Sequence, residues 1–508
     1  MIILSFMFMM VLFVFVLVCG ILGYVLPKQE GTVQREHWQQ RYRQIAAVGI
    51  LYGVIFVVCM YKNTQSYTYV ICVLAYLLCM KAVFGHLEIS MKRENYICGG
   101  IMLLAALSTA FTAKWQIHGL NHLLVLMGMM VFTMIGYMDM QGKDLLQWSR
   151  YLVLLGCETL VSAVQSLGHI KYWKGNSENK NSNLKYVLIG LVCGIPLVCV
   201  IMLLLVSADD VFAAMLKQVL QLSWFGQGIL IFLVFIIAFC GFYGLAYGGM
   251  KTSLRQIPKS EKKGEPVVAI TISTMVAVIY LIFCFVQIRY LFLGGIWELP
   301  EKFTYARYAR QGFFQLLFVS FLNYIMVLLG KYRFRENKTL RRLLLLISVC
   351  TYVMMASSFY RMILYVKVYH LTFLRIVVLY FLVGLAVLFA LLLSAMYSNK
   401  VKLLKSTILT ATAFYLVFSF ARPDYWVAYY NTTVQQEISS YDWYELTRNL
   451  SIDAAPVLWR AVPEEKDEFY ENVKQEYKET IEERYEDISL RKFNLSVYLA
   501  GQTVKNKE

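Results

Sequence analysis

Twenty-five consecutive residues, Ile2–Leu26, carry no formal charge. As an α-helix rising 1.5 Å per residue, such a run extends about 37 Å, enough to cross a ~30 Å hydrocarbon layer. Runs of this kind recur along the chain, each ending in charge, Pro or Gly. They lie at 2–26, 44–62, 67–87, 95–113, 119–140, 186–207, 225–249, 266–292, 312–330, 343–363, 374–397 and 405–420. A water-soluble core of 508 residues cannot hide that much apolar surface. Hydrophobic residues make up 59% of the chain, against ~45–50% in soluble domains, and charged residues only 16%, against about 25%. The expected fold is all-α: a polytopic transmembrane helical bundle of about 12 spans. The first segment lacks a basic leader and an A-x-A site, so it is expected to remain as an anchor.

Segment 144–168 is apolar but contains Gln147, Arg150, Glu158 and Gln165. It is read as interfacial or re-entrant. With it excluded from the spans, alternate loops hold 26 Lys/Arg against 7. The basic set should face the cytoplasm, which places both termini outside. The overall charge of +16 is uneven: residues 421–508 hold 11 Lys/Arg and 17 Asp/Glu. The excess base belongs to short loops that orient spans, so nucleic acid is not an expected partner and the lipid bilayer is. Four regions follow: N-terminal transmembrane helices over 1–143, an interfacial or re-entrant segment with a cytoplasmic loop over 144–185, further transmembrane helices over 186–420, and an acidic helical extracytoplasmic tail over 421–508.

All 11 cysteines precede Thr351 and sit in apolar segments without C-x-x-C spacing. They read as small apolar residues, not a disulfide framework or a zinc site. There is no phosphate-binding Gly loop, no H-E-x-x-H and no G-x-S-x-G, so no cofactor, metal ligand or catalytic residue is assigned. Gly49/Gly53, Gly190/Gly194 and Gly244/Gly248 are GxxxG pairs suited to close helix packing within the chain.

In the tail, Arg422-Pro423-Asp424 ends the last span, because Pro restricts the residue before it. Ser440–Trp443 opens a short helix and Asp453 starts another. A longer helix is expected over Glu464–Ile488. There Phe469, Val473, Tyr477, Ile481, Tyr485 and Ile488 form one apolar stripe that needs a covering surface, either the aromatic 425–460 segment or the membrane face.

Several stretches, in this order, resemble a known family: Ser207-Ala208-Asp209-Asp210-Val211-Phe212; Val286 to Phe292; Thr304 to Phe314; Arg361 to Tyr365 with Leu371-Thr372 and Leu374-Arg375; Pro423-Asp424; Tyr430-Asn431; Leu450 to Pro456; and Phe493-Asn494-Leu495-Ser496. Together they are similar to the bacterial membrane family called domain of unknown function 4173, in the 4153-like group, from about Ser207 onward. The resemblance implies a multi-pass protein of the bacterial plasma membrane and supplies no activity. That family usually carries Gly where His370 stands and a more acidic residue where Arg307 stands.

The inferred orientation gathers Asp209, Asp210, Arg289, Tyr305, Arg307, Tyr308, Arg310, Arg361 and Arg375 at the outer face. Arginines are disfavoured there and costly near hydrocarbon unless paired. One reading has them clamp the acidic tail. The other makes them a pocket for an anionic lipid headgroup or cell-envelope intermediate, which the guanidinium fork suits. Glu158 is a separate candidate, a carboxylate at membrane depth. Three functions are compatible: a non-enzymatic scaffold, sensor or assembly protein with a protein partner on 421–508; a transporter or flippase of an anionic or amphipathic substrate; and a membrane glycosyl- or phosphotransferase using Asp209 and Asp210.

Overall fold

The computed structural model describes residues 32–140, 143, 145–168, 198, 201–202, 204–222, 224–254, 264–289, 313–397, 403–434, 440–462 and 468–506. The expected spans 2–26 and 186–207 lie wholly or mostly outside them. Among the described residues there is no strand, only an isolated bridge between Gly264 and Phe334. Nine helical segments among the described residues are long and apolar enough to cross a membrane. The chain is therefore an all-α helical bundle of membrane-protein type. It divides into two compact units.

The first unit comprises Met1–Thr109 and Gly119–Lys259. Its helices are α1 (Thr32–Met60), α2 (Thr68–His86), α3 (Arg93–Thr109), α4 (Trp115–Tyr137), α5 (Leu145–Gly168), α6 (Asp210–Leu222) and α7 (Trp224–Ser253). The first turn of α4 belongs to the other unit. Helix α7 is the centre, with α1, α5 and α6 against it. Small residues set the spacing. A Cβ on Gly244 would stand 2.4 Å from the Thr159 carbonyl oxygen, and one on Gly248 2.9 Å from the backbone of Glu158 and Thr159. Gly49 and Gly53 likewise receive the rings of Phe239 and Phe235. Both described GxxxG pairs thus pack within the chain.

Buried aromatic rings of Tyr52, Tyr76, Phe84, Phe132 and Phe242 fill this unit. The Tyr76 hydroxyl lies 2.9 Å from the Thr133 hydroxyl. The opposite face of α2 exposes Ile71, Leu74 and Leu78, the pattern of a helix solvated by lipid, not by water.

Residues Leu145–Gly168 of the segment expected to be interfacial or re-entrant form α5. The helix runs uninterrupted over 24 residues and is not among the helical segments long and apolar enough to cross a membrane. Among its polar residues Arg150 is exposed. Gln147 and Glu158 are buried, and Gln165 accepts from Lys251 Nζ of α7 at 2.8 Å.

The second unit comprises Ala110–His118 and Ser260–Glu508. It holds α8 (Pro266–Gln287), α9 (Phe313–Arg333), α10 (Lys338–Tyr369), α11 (Phe373–Tyr397) and α12 (Leu403–Phe420). Asn337 starts α10 by accepting from the backbone of Thr339 at 2.8 Å, satisfying an otherwise unpaired helix donor. Helix α10 packs on α8, α9 and α11, and α11 packs on α12, around Val327, Ile347, Leu382, Phe389 and Leu392.

The tail belongs to this unit. It consists of α13 (Pro423–Thr433), α14 (Ser440–Asn449), a 3-10 turn at Ile452–Ala454, α15 (Ala455–Ala461), α16 (Glu468–Glu486) and α17 (Leu495–Lys505). Arg422 takes a positive φ of 53°, and Pro423 opens α13. Pro suits that first helical position because its missing N–H would have no partner there. The apolar stripe of α16 buries Val473, Tyr477 and Ile481, and Tyr477 and Ile481 pack in one core with Trp443, Ile452, Leu458 and Trp459. The aromatic 425–460 segment is therefore the covering surface. Helix α17 completes this core with Ala500 and Val504.

Candidate functional site

Three corners of the second unit converge on a buried polar node. The first is the segment just after α3, which ends at Thr109, so that 110–114 leave the helix. The second is the α12–α13 corner at 421–424. The third is the tail segment Ser451–Asp453 with the Asn494 cap. Lys114 Nζ lies 2.8 Å from Asp424 Oδ2, with side-chain exposures of 6% and 0%. The same Asp424 oxygen accepts from Ser451 N at 2.7 Å. Lys114 Nζ also stands over the Phe373 ring, 4.6 Å from its centroid.

Asp453 is the second anion and is fully buried. Its Oδ1 accepts from the Ala113 amide at 2.7 Å and from the Ser496 hydroxyl, and its Oδ2 accepts from the Thr112 hydroxyl. Ser496 Oγ in turn accepts from Arg422 Nη2 at 3.1 Å. Asn494 donates to the Thr112 carbonyl at 3.0 Å, while its Oδ1 caps α17 at Ser496 and Val497. The Leu495 amide donates to the Ala110 carbonyl at 2.8 Å. One ion pair, Lys114 with Asp424, thus stands beside a second carboxylate held by hydrogen bonds, and Arg422 reaches that carboxylate's partner Ser496. Burying such charges is tolerable only on those terms.

Four atoms of the node are exceptions. Asp424 Oδ1, Ser451 Oγ, the Tyr477 hydroxyl and Arg422 Nε are buried with no hydrogen-bond partner among the described residues. Burial, reinforced by the carboxylates of Asp424 and Asp453, holds the Tyr477 phenol well above its usual titration range.

A second tie joins α13 to the α10–α11 corner. Asn431 accepts from the Leu371 amide at 2.9 Å and donates to the Leu371 carbonyl at 2.8 Å. Beside it, His370 takes φ 66° and ψ 167°, a region that glycine occupies freely and other residues do not. Its Nε2 lies 3.8 Å from Asp442.

The residues singled out from sequence are placed as follows. Asp209 caps α6, accepting from Val211 N at 2.8 Å and Phe212 N at 3.1 Å, and Asp210 is exposed at its first position. Both belong to the first unit, whereas Arg289, Arg361 and Arg375 belong to the second. Arg361 is buried in α10 and donates to Gln287 Oε1 at 2.9 Å, an oxygen that also accepts from Ser357 at 2.7 Å. Arg289 lies two residues beyond Gln287. Arg375 binds the carbonyls of Tyr369 and His370 and covers the Tyr365 ring at 4.2 Å. Tyr305, Arg307, Tyr308 and Arg310 lie outside the described residues. Glu158 is buried where α5 meets Gly248.

Nothing in the spacing of Thr112, Lys114, Asp424, Asp453 and Asn494 marks them as a site in the sequence. The signal the sequence does offer is that Asp424, Asp453 and Asn494 stand inside the family-like stretches Pro423-Asp424, Leu450 to Pro456 and Phe493 to Ser496.

The nine apolar helices among the described residues and the helical C-terminal domain define a polytopic helical membrane protein. Residues 99–461 match the family model described as Domain of unknown function (DUF4153). That match covers more than half of the chain, and the chain belongs to this family. The matched region begins well before Ser207, so it includes Thr112 and Lys114, and it ends before α16. Neither the curated proteins nor the solved structures give a match.

Proposed function

We propose that the chain is a non-enzymatic membrane scaffold or assembly protein whose C-terminal domain is a fixed platform on the outer side of the membrane. The supporting observation is the node formed by Lys114, Asp424 and Asp453. A tail secured by two buried carboxylates is held in one position, as a platform requires and a loosely tethered arm does not. The outer placement rests on the bias of basic residues toward the alternate loops. The partner binds the exposed charged faces of α14 and α16, since the apolar faces are used internally. Deleting 421–508 should abolish a crosslinkable protein partner while the spans still insert. A tail-less chain that keeps every partner would sink the proposal.

A second reading is a transporter or flippase of an anionic or amphipathic substrate. It is favoured by a polar track among α8, α9 and α10. Tyr280 donates to Asn323 at 2.6 Å, Asn323 donates to Thr351 at 2.9 Å, and Gln287 accepts from both Ser357 and Arg361. Polar residues between spanning helices serve as packing links or line a path. In this reading Arg289, Arg361 and Arg375 receive an anionic lipid headgroup or cell-envelope intermediate. Proteoliposomes decide it: flux that Arg361→Gln abolishes supports transport, and no flux across a panel of anions and lipids counts against it.

A further inference from the structure

Helix α13 has two faces. Asp424, Val427, Ala428 and Asn431 recur at helical spacing and are all buried. On the other side Trp426 and Tyr429 are 50% and 45% exposed, with their rings packed edge to face at 6.0 Å. Tyr425 joins them, 5.7 Å from Trp426.

Two more exposed aromatic residues adjoin the same node. Trp115, 54% exposed, is the first residue of α4 and follows Lys114 directly. Tyr369, 46% exposed, is the last residue of α10 and precedes the His370–Leu371 corner. Lys114 is bonded to Asp424, and Leu371 to Asn431. The four rings therefore stand next to three chain corners that are tied to one another. Each corner is also the end of an apolar helix: Trp115–Tyr137 begins there, Lys338–Lys367 ends two residues before Tyr369, and Leu403–Phe420 ends six residues before Trp426.

Position decides what covers these rings. Exposed to water, their apolar bodies would be unfavourable. Deep in hydrocarbon, the indole N–H and phenol O–H would lack partners. The boundary between headgroups and acyl chains satisfies both, and Trp and Tyr concentrate there in membrane proteins. We propose that α13 is an interfacial helix lying on the lipid surface, and that Trp115, Tyr369, Trp426 and Tyr429 form an aromatic rim at the glycerol level. The occupant of this surface is lipid. The rim sets the height of the C-terminal domain, seating it on the headgroups.

The test uses the full chain in phosphatidylcholine vesicles that carry dibrominated acyl chains. The difference between the wild-type emission and that of Trp426→Phe isolates Trp426, and Trp115→Phe isolates Trp115. Trp426→Tyr is the second variant should the first fold poorly. Both residues should be quenched most by bromine near the glycerol end, less by bromine near the methyl end, and little by aqueous iodide. Strong iodide quenching without lipid quenching would overturn the proposal, because the rim would then be in water. Stronger quenching by the methyl-end bromines would overturn the interfacial level. Insensitivity to both quenchers would overturn lipid as the occupant and indicate a covering protein.

Discussion

Replacing Asp424 by Asn keeps the shape of the side chain and leaves an oxygen for the Ser451 amide, but strands the Lys114 ammonium. In the native node that ammonium has a carboxylate at 2.8 Å with both groups almost fully buried. Removing one partner of a buried pair typically costs ~3–5 kcal/mol. The Phe373 ring 4.6 Å away still attracts the cation, by about 1–2 kcal/mol when desolvated. Asp424→Asn should therefore fall near the low end, about 3 kcal/mol. That corresponds to a rise of roughly a hundredfold in the open population of the C-terminal domain. Lys114→Met alone buries an uncompensated carboxylate and should cost at least as much. The double variant removes both charges, and replacing a buried pair by apolar groups is often close to neutral. Its cost should thus be less than the sum of the singles by about 2 kcal/mol or more. The assay is a urea titration of the detergent-solubilised full chain, followed by the emission of Trp443 and Trp459, which lie in the core of the C-terminal domain. Susceptibility of that domain to limited proteolysis provides an independent readout. Singles that unfold with the wild type, or costs that add within ~0.5 kcal/mol, would refute the claim that this pair holds the domain.

Three further outcomes are expected. His370→Gly should stabilise the chain by about 1 kcal/mol: it relieves ~1–3 kcal/mol of backbone strain at φ 66°, less the ~0.5–1 kcal/mol entropic cost of glycine and a partly exposed Asp442 contact, and a loss of stability would refute the strain assignment. Gly244→Ala should lower stability in detergent by about 1–3 kcal/mol through overpacking, since its Cβ meets the Thr159 carbonyl at 2.4 Å, whereas Gly241→Ala, with nothing within 4 Å, should not; equal melting of the two variants would contradict the close approach. Tyr477 is held neutral by burial and by Asp424 and Asp453, so its contribution is complete below the ordinary tyrosine pKa of ~10 and is lost as pH rises beyond it, because the unfolded chain ionises first. Tyr477→Phe should flatten that alkaline loss in urea titrations across pH 8–11 (about the ordinary range), and an unchanged slope would assign it elsewhere.

The tail shows how far local pattern reaches. The stripe from Phe469 to Ile488 is repeated every three or four residues and is therefore visible in sequence; it appears as α16 with Val473, Tyr477 and Ile481 buried. The break at Arg422-Pro423 is equally local, because proline acts on its immediate neighbour. Segment 144–168 shows the opposite case. Its Gln147, Arg150 and Glu158 point in the sequence to an interfacial or re-entrant segment, and they do not say what the helix packs against. The small residues that accept such a helix, Gly244 and Gly248, lie more than eighty positions away, where their fit to Glu158 and Thr159 cannot be read. Outer-face charge pointed to the arginines, yet those described mostly bind amides and carbonyls, Arg361 at Gln287 and Arg375 at Tyr369 and His370.

By itself the sequence determined that this is a membrane protein, because apolar length and charge exclusion act over a single helix and need no partner. It also determined the helical, acidic character of the C-terminal segment. Only the tertiary structure decided which charges matter. Thr112 and Asp453 are 341 residues apart, and Lys114 and Asp424 are nearly as distant. No periodicity or spacing links such pairs. They become a site because chain corners from separate helices are brought out of water together, where an unpaired charge would be too costly to persist and a paired one fixes the arrangement.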